Sequence, residues 1–343
     1  MHLLAHSNGN PRNSEGAFIP LSDGRILFAY TRYNGDSWQD HANADIYGVI
    51  SKDEGETWSE PACIIPNTAR NVMSVSFTRL SSGAIAMLYL QKKNVETGHV
   101  DCRPMLCISQ DEGRSWSDAR DILGTPPAYH VVHNDRMVRL SNGRLIIPAS
   151  LHRYGGTQGI GIFFLSDDDG ATWRESRTCC YPPSWQLAGL MEPGVVELSD
   201  HRLLCWYRTT TRCQYKCFSY DYGESWTEPV PAPEFPSPSS PLSMKKHPET
   251  GELIAVWNDY SPLRSVCFDE SFPGRTPLVL ARSRDDGATW VDHQVLEDKP
   301  DHGYAYTAMQ FISGNRLLLA YCCGGKPTCT CMLQDLCIRT VFL

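Results

Sequence analysis

The chain has 343 residues, of which 41% are hydrophobic and 20% are charged. This composition supplies a sizeable core and excludes an extensively disordered protein. The formal net charge of −8 argues against nucleic acid as a partner, because a phosphate-binding surface needs an excess of basic residues. No stretch approaches the roughly 18 apolar residues of a membrane span, and residues 1–11 lack the features of an export signal. We therefore expect a cytoplasmic protein with one domain over residues 1–343 and no membrane partner.

The first patterned stretch of the chain is an apolar segment, a polar turn at Ser22-Asp23-Gly24 and a second apolar segment. A short turn containing Gly between two β-rich segments is typical of a β-hairpin, and no long helical periodicity competes with it. The same pattern returns five more times along the chain. The six predicted hairpins cover residues 17–31, 75–90, 136–151, 194–208, 242–258 and 307–322.

A second repeat follows each of the first five hairpins. Its pattern is Ser, any residue, Asp, any residue, Gly, any residue, Thr or Ser, and Trp. The copies cover residues 51–58, 109–116, 166–173, 219–226 and 283–290, and their Asp positions are separated by 58, 57, 53 and 64 residues. A nearly constant step of this length is typical of a repeat architecture.

In each copy the Asp can accept hydrogen bonds from the backbone of its own turn, and the Gly can adopt the positive φ that closes it. The Trp suits the seam between neighbouring sheets. Small sheets of this kind stack radially, so the sequence predicts an all-β fold, a six-bladed β-propeller of four-stranded antiparallel sheets. Residues 336–342 are expected in the sixth sheet, with residues 3–7 as its outermost strand. The Pro-rich stretch 229–241 is interpreted as a connection between blades rather than a linker between domains.

The five repeats are Asp-boxes, and with them the chain resembles the sialidases. Two further stretches carry this resemblance, residues 191–200 followed by Arg208, and residues 304–309. The first is similar to the sialidase stretch in which a Glu precedes a hairpin and an Arg ends it, and the second to the segment with the nucleophilic tyrosine. The resemblance implies that Tyr306 is the nucleophile and Glu192 its base. A phenol suits a sugar whose own carboxylate would repel an anionic nucleophile.

A sialidase also binds the substrate carboxylate through three arginines, because a guanidinium forms bidentate bonds with a carboxylate and keeps its charge. The resemblance implies that Arg208 is the second of these arginines and Arg275 the third. In sialidases the first of the three arginines lies in an Arg-Ile-Pro motif. The corresponding stretch of this chain is Phe18-Ile19-Pro20, with Phe where the Arg is expected. Three other arginines are candidates for the missing cation: Arg12, Arg32 and Arg136.

The loop ahead of the first Asp-box strand resembles the mobile sialidase loop that carries the general acid. Asp40 is the expected acid, and Asp45 and Asp36 are alternatives in the same stretch. Protonating a leaving oxygen requires a raised pKa, which closure of the loop over the substrate would produce by desolvation. A second polar cluster, ahead of the third hairpin, is expected to contact substrate hydroxyls through His133, Asn134 and Arg136.

The 14 cysteines are expected to be reduced, because the chain shows no export signal. The late cysteine cluster at residues 322–331 lacks the spacing of a zinc ribbon, so no metal is predicted, and the resemblance implies no cofactor. The resulting hypothesis is a retaining exo-sialidase that removes terminal sialic acid, or a related keto-acid sugar, from a glycan. Two alternatives stay open: a glycosidase or lyase for another acidic sugar, and a non-catalytic carbohydrate-binding propeller.

Overall fold

The computed structural model describes residues 1–95, 98–124, 126–152, 158–185, 188–261, 275–326 and 328–343. Within these ranges every regular element is a β-strand, which confirms the predicted all-β class. The same ranges contain no helix of the length and apolar character needed to cross a membrane.

Four of the sheets contain four antiparallel strands each. The first consists of β2 (Asn13–Pro20), β3 (Ile26–Tyr33), β4 (Ala44–Ser51) and β5 (Ala62–Ile65). The second consists of β15 (Met191–Glu197), β16 (Leu203–Arg208), β17 (Cys213–Ser219) and β18 (Val230–Pro236). The third consists of β19 (Ser243–Lys246), β20 (Leu253–Asn258), β21 (Leu278–Ser283) and β22 (Val291–Glu297). The fourth has the order β1 (His2–Leu4), β25 (Asp335–Phe342), β24 (Arg316–Gly325) and β23 (His302–Ile312).

The nine remaining strands form one larger sheet in two halves. One half contains β6 (Asn71–Arg79), β7 (Ile85–Asn94), β8 (Val100–Ser109) and β9 (Arg120–Asp121). The other contains β10 (Tyr129–Val131), β11 (Val138–Arg139), β12 (Leu145–His152), β13 (Gly159–Ser166) and β14 (Arg174–Glu175). A single parallel pairing, between Tyr129 and Cys102, joins the two halves. All six predicted hairpins are present, as β2–β3, β6–β7, β11–β12, β15–β16, β19–β20 and β23–β24.

The Asp-box turns satisfy their polar groups within eight residues. In the first box, Asp53 Oδ1 accepts a hydrogen bond from the backbone N–H of Thr57 at 2.9 Å, and Oδ2 accepts one from the Thr57 hydroxyl at 2.5 Å. The hydroxyl oxygen of Ser51 accepts from the N–H of Gly55 at 2.8 Å, and Gly55 has the positive φ, 92°, that the turn requires. The other four boxes repeat these bonds. Each turn is therefore specified locally.

The residue after the box Asp forms contacts beyond its own turn. In four boxes this residue is acidic and binds a serine in the hairpin turn of an adjacent sheet or, for Asp169, of the other half of the nine-stranded sheet. The pairs are Ser22 N–H with Glu112 at 2.8 Å, Ser81 N–H with Asp169 at 2.9 Å, Ser199 N–H with Asp286 at 3.1 Å and the Ser313 hydroxyl with Glu54 at 2.9 Å. The last pair joins the sheet that contains the C-terminus to the first sheet of the chain.

Hydrophobic clusters fill the spaces between neighbouring sheets. One cluster is shared by the first and the last sheets and includes Phe18, Phe28 and Leu318. In the same sheet as Leu318, strand β1 pairs with β25, so the N-terminal segment forms the outermost strand, as the sequence predicted. The two ends of the chain are therefore held in one sheet. The 13 cysteines in the described ranges carry free thiols.

Candidate active site

Four hairpins have a β-bulge near the start of their first strand. Each bulge contains one residue other than glycine at a positive φ: Glu15 (51°), Ser74 (61°), Glu192 (46°) and Tyr306 (61°). A bulge redirects a side chain, and a strained backbone of this kind is common at functional sites. The four side chains line one cavity of about 150 Å³. Residues that are nearly 300 positions apart in the sequence thus share one site.

Tyr306 and Arg208 both contact Glu192, which lines this cavity. The Tyr306 hydroxyl donates a hydrogen bond to Glu192 Oε1 at 3.4 Å, and Arg208 Nη1 donates to the same oxygen at 2.8 Å. Burial raises the pKa of Tyr306 to about 12, and the charge of Glu192 adds to this, although Arg275 and Arg208 act to lower it. The phenol is therefore protonated at neutral pH, and a nucleophilic Tyr306 would need Glu192 to accept its proton.

Arg275 also contacts the tyrosine ring. Its guanidinium carbon is 5.4 Å from the centre of the Tyr306 ring, and its Nη2 donates to the Ser239 carbonyl at 3.3 Å. Several buried polar atoms around the cavity have no hydrogen-bond partner among the described residues, including Arg275 Nη1, Glu192 Oε2, His133 Nε2, Arg12 Nε and Asn134 Oδ1. Buried polar groups are normally hydrogen-bonded, so these atoms point to a polar ligand.

His133 and Asn134, both predicted from the sequence, lie beside Tyr306. The imidazole of His133 stacks on the Tyr306 ring with centres 5.2 Å apart, and its Nδ1 donates to the Asn134 carbonyl at 2.9 Å. Burial lowers the pKa of His133 well below its ordinary value, so the ring is neutral. The side-chain amide of Asn134 donates to the carbonyls of Gly16 at 2.7 Å and Tyr306 at 3.2 Å. Asn134 therefore fixes the backbone at two of the bulges.

Arg12 is the candidate for the missing cation that lies beside this cavity. Its side chain is only 1% exposed and stands over the ring of Tyr33, 4.7 Å from the ring centre. Its Nη1 donates to Asp40 at 2.5 Å, and its Nη2 donates to Glu15 at 3.1 Å. Both of these acids line the cavity. Arg12 thus brings a third guanidinium to the site, together with Arg208 and Arg275.

The other two candidates for this cation are engaged elsewhere. The guanidinium of Arg32 lies over the ring of Tyr47, 4.6 Å from the ring centre. Successive side chains of a strand point to opposite faces, so Arg32 points away from the face on which its neighbour Tyr33 meets Arg12. Arg136 donates to the Leu242 carbonyl at 2.6 Å and lines a separate cavity of about 460 Å³ between hairpins three, four and five. These positions correct the expectation that either arginine reaches the tyrosine.

Phe18 also lies away from the cavity. Its ring packs in the core against Phe28, with centres 4.6 Å apart, and against Trp58, with centres 6.1 Å apart. The expectation that Phe18 replaces the first arginine is therefore wrong. The arginine of this site precedes the hairpin, where the start of β2 directs Arg12 toward the cavity.

Asp40 lies on the loop between β3 and β4 and reaches the cavity, with its side chain 63% exposed. Desolvation by the surrounding protein acts to raise the pKa of this carboxyl, but the charge and hydrogen bond of Arg12, followed by the charge of Lys92, outweigh it and lower the pKa. This direction is the opposite of the raised pKa expected for a general acid. The Lys92 ammonium also donates to the Asp40 carbonyl at 2.7 Å, which holds the loop over the cavity.

The two alternatives to Asp40 are placed differently. Asp45 accepts hydrogen bonds from the Asn34 amide at 2.6 Å and from the Asn67 backbone N–H at 2.7 Å, so it connects two loops. Asp36 is exposed and does not line the cavity. Asp40 is therefore the acid of this loop that contacts the other site residues.

Sequence reasoning missed Glu15, Ser74 and Lys92. Glu15 is 5% exposed and accepts a hydrogen bond from the Ser74 hydroxyl, and burial raises its pKa although Arg12 acts in the opposite direction. Lys92 is 2% exposed and lines the same cavity. A signal for Glu15 was present, because it takes the same place in its hairpin as Glu192 and Tyr306 take in theirs. Aligning the hairpins would have found it.

One group of metal-ligand types lies where the two ends of the chain meet. His6 Nδ1 is 2.6 Å from Asp335 Oδ1, and the Cys329 thiol is 3.4 Å from Asp335 Oδ2. His6 and Asp335 already satisfy one another as a hydrogen-bonded pair. None of the three residues lines the cavity that contains Tyr306.

Comparison with known proteins gives consistent results. Residues 46–317 match the BNR repeat-like domain family. A sialidase from Paraclostridium sordellii is 23% identical over 248 residues, which cover 64% of this chain and 59% of that protein, so the chain spans less than two thirds of that relative's length. A solved structure of a Dyadobacter fermentans protein of unknown function matches with a TM-score of 0.77 at 17% identity, and the match covers 98% of this chain and 97% of that chain. A solved structure of a Streptococcus pneumoniae sialidase matches with a TM-score of 0.73 at 17% identity, and the match covers 97% of this chain and 69% of that chain. These likenesses show a propeller-like all-β fold.

Proposed function

Because the chain belongs to the BNR repeat-like family of the sialidase superfamily, we propose that it is a retaining exo-glycosidase that removes terminal sialic acid, or a closely related keto-acid sugar, from glycans. The observation that carries this proposal is the convergence of Tyr306, Glu192, Arg208 and Arg275 on one cavity. A module that only binds carbohydrate has no need for a phenol directed at a carboxylate. A retaining sialidase needs both groups.

We also infer that residues 1–343 form one six-bladed propeller. The nine-stranded sheet has only the Tyr129–Cys102 pairing between its described halves, and each half carries one hairpin and one Asp-box, as do three of the four four-stranded sheets. Among the described residues, five hydrophobic clusters are each shared by two sheets and a sixth by the two halves of the nine-stranded sheet, and these six contacts support a ring in which the first sheet contacts the last. A ring of this kind brings the starts of all the hairpins to one end of the axis.

The charges around the cavity favour an anionic sugar. Among the described residues, four cations (Arg12, Lys92, Arg208 and Arg275) face three carboxylates (Glu15, Asp40 and Glu192), which leaves one net positive charge. A substrate with one carboxylate would balance this charge. Arg275 Nη1, which has no partner among the described residues, is a donor available for such a group.

In the proposed reaction, the Tyr306 oxygen attacks the anomeric carbon while Glu192 accepts the phenol proton. The bond to the leaving oxygen breaks, and Asp40 donates a proton to that oxygen. In the second half, Asp40 accepts a proton from a water molecule that attacks the same carbon. The tyrosine then leaves and recovers its proton from Glu192, so the anomeric configuration is retained.

The test is to incubate the protein with aryl glycosides that release a fluorophore. We expect release from the α-sialoside, and none from uronic acid or neutral glycosides. Release only from a uronide would favour the alternative acidic sugar. Binding of sialic acid without turnover of any substrate would favour the carbohydrate-binding module.

A further inference from the structure

The guanidinium of Arg12 binds two carboxylates of the protein itself. The Nη1 atom donates to Asp40 at 2.5 Å and to the Trp38 carbonyl at 3.2 Å. The Nη2 atom donates to Glu15 at 3.1 Å and to the Ser14 hydroxyl at 3.0 Å. A substrate carboxylate that binds the fork of this guanidinium must therefore displace a resident partner.

We propose that Glu15 is a specificity-determining residue, because it retains one half of the Arg12 fork and obliges a substrate carboxylate to displace Asp40, which frees Asp40 to act as the acid. This proposal rests on the proposed function and adds a requirement to it. The reaction would be switched on by the carboxylate of the substrate itself. Neutral sugars would leave Asp40 bound to Arg12.

Glu15 is the partner that stays. It is 5% exposed, its carboxyl accepts a second hydrogen bond from the Ser74 hydroxyl, and its backbone is fixed in a bulge at a φ of 51°. Asn134 also holds the adjacent Gly16 carbonyl at 2.7 Å. Removing this carboxyl from Arg12 would require rearrangement of packed strands, and it would leave a buried acid without its cation.

Asp40 is the partner that leaves. Its side chain is 63% exposed, it lies on a loop, and Arg12 is the side chain that binds its carboxyl among the described residues. Water can solvate the carboxyl when Arg12 is taken. Lys92 binds the backbone carbonyl of Asp40 rather than the carboxyl, so the loop stays over the cavity after the exchange.

The exchange changes the charges that Asp40 experiences. Before it, the guanidinium at 2.5 Å stabilises the carboxylate. Afterwards, the anion of the substrate occupies that place, so the carboxyl takes up a proton from the solvent and becomes able to donate it. The other titratable groups around Arg12, Glu15 and Asp40 are Lys92, His41, Tyr33, Tyr129, Tyr306, Cys102, Cys322 and Cys331.

The experiment measures proton uptake on binding, by titration calorimetry at pH 5 in two buffers of different ionisation enthalpy. The probes are free sialic acid and its methyl ester. If the exchange raises the Asp40 pKa above the pH of the measurement, close to one proton is taken up per sialic acid bound. We expect this value for the wild type, almost none for Asp40→Asn, and none for the methyl ester.

Glu15→Gln tests the role of Glu15 itself. The neutral amide is a weaker partner for Arg12, so the substrate displaces it and Asp40 stays ionised. We expect proton uptake to fall below about 0.3, and kcat to fall tenfold or more while KM is not raised, which mere loosening of the site would not produce. The matched control is Glu197→Gln, a half-buried acid on β15 that binds Ser141 outside this cavity. It should behave as the wild type.

Two results would overturn the inference while leaving the glycosidase intact. One is tight binding of sialic acid without proton uptake by the wild type, and the other is unchanged uptake in Asp40→Asn. If the wild type neither binds nor hydrolyses any acidic sugar, the proposed function fails and this inference fails with it.

Discussion

The Asp-box turns and the bulged strands of the cavity lie at opposite ends of the same sheets, and their polar groups are satisfied in different ways. In the first sheet, Ser51 of the box pairs with Ile26 beside the hairpin turn, whereas Glu15 lies at the other end of the hairpin. The carboxyl of Asp53 finds its partners within its own box. The carboxyl of Glu15 instead contacts Ser74, a residue of another sheet.

The pKa values of Asp111 in a box and of Glu15 in the cavity shift in opposite directions. Hydrogen bonds from the side chain and backbone of Ser115, and from the Ser109 hydroxyl, lower the pKa of Asp111 in the second box to about 2. Burial raises the pKa of Glu15 in the cavity. The Asp111 carboxylate is thus stabilised as an anion by hydrogen bonds within its own box, while burial in the cavity disfavours the ionised form of Glu15. Perturbation of this kind is typical of functional sites, and it distinguishes the end that serves stability from the end that we propose serves catalysis.

The largest expected effect comes from Tyr306→Phe. Removing the phenol oxygen should reduce hydrolysis of an aryl α-sialoside by about 10³-fold, because no nucleophile remains, and should leave the melting temperature within a degree or two. The measurement is initial rate together with thermal unfolding. Tyr304→Phe is the matched control, since Tyr304 lies on the same strand but packs in the core. If Tyr306→Phe kept more than a tenth of the activity, the nucleophile assignment would be wrong.

Arg208→Lys is expected to have the next largest effect. Lysine cannot reproduce the fork that binds Glu192 at 2.8 Å and Ser239 at 3.1 Å, so turnover of a sialoside should fall about 10²-fold. Steady-state kinetics would show this loss. Arg202→Lys changes a half-buried arginine of the same hairpin that pairs with Asp200, and it should leave kinetics unchanged. Unaltered turnover in Arg208→Lys would exclude its role in binding a substrate carboxylate.

Gly194→Ala tests whether the bulge itself positions the site. A Cβ at this residue would meet the buried ring of Trp206 at 2.2 Å, so we expect a loss of about 1–3 kcal/mol in the free energy of unfolding, measured in urea. Activity should fall as well, because Glu192 is two residues away. Gly143→Ala is the control in an exposed turn, where φ is 89° and an added Cβ would have no other atom within 4 Å. It should cost about 1 kcal/mol for backbone strain and leave activity intact.

The smallest effect is expected in the Asp-boxes. Asp111→Asn should lower the melting temperature by a few degrees at pH 7 and leave sialoside turnover unchanged. Since the pKa of Asp111 is about 2 in the folded protein and its ordinary value is 3.8, its contribution is complete above about pH 4 and is lost as the pH falls toward 2. The difference between variant and wild type should therefore shrink over that window in thermal scans. Asp118→Asn, at an exposed acid after the same box, should show no such change, and a loss of turnover in Asp111→Asn would contradict the separation of the two ends.

The sequence by itself determined the parts of the fold that depend on neighbouring residues. The Asp-box turn can be read from Ser51, Asp53 and Gly55 because their hydrogen bonds close within eight positions. The hairpins follow from the alternation of apolar segments and polar turns, and the strand that ties the N-terminus to the last sheet follows from the count of strands. The resemblance to sialidases predicted Tyr306, Glu192 and Arg208 as site residues, and in the structure Tyr306 and Arg208 both bind Glu192.

Only the tertiary structure decided which charged side chains accompany them. Arg12 and Arg32 are equally plausible in the sequence, but a strand directs successive side chains to opposite faces, and the pairing of β2 with β3 brings Tyr33 over Arg12 and leaves Arg32 on Tyr47. The bulge that directs Glu15 into the cavity is a shift in the pairing register of β2 with β3. The pKa of Asp40 likewise depends on a cation that lies 28 positions earlier in the chain. Register, bulges and burial are relations between segments, so the local sequence does not contain them.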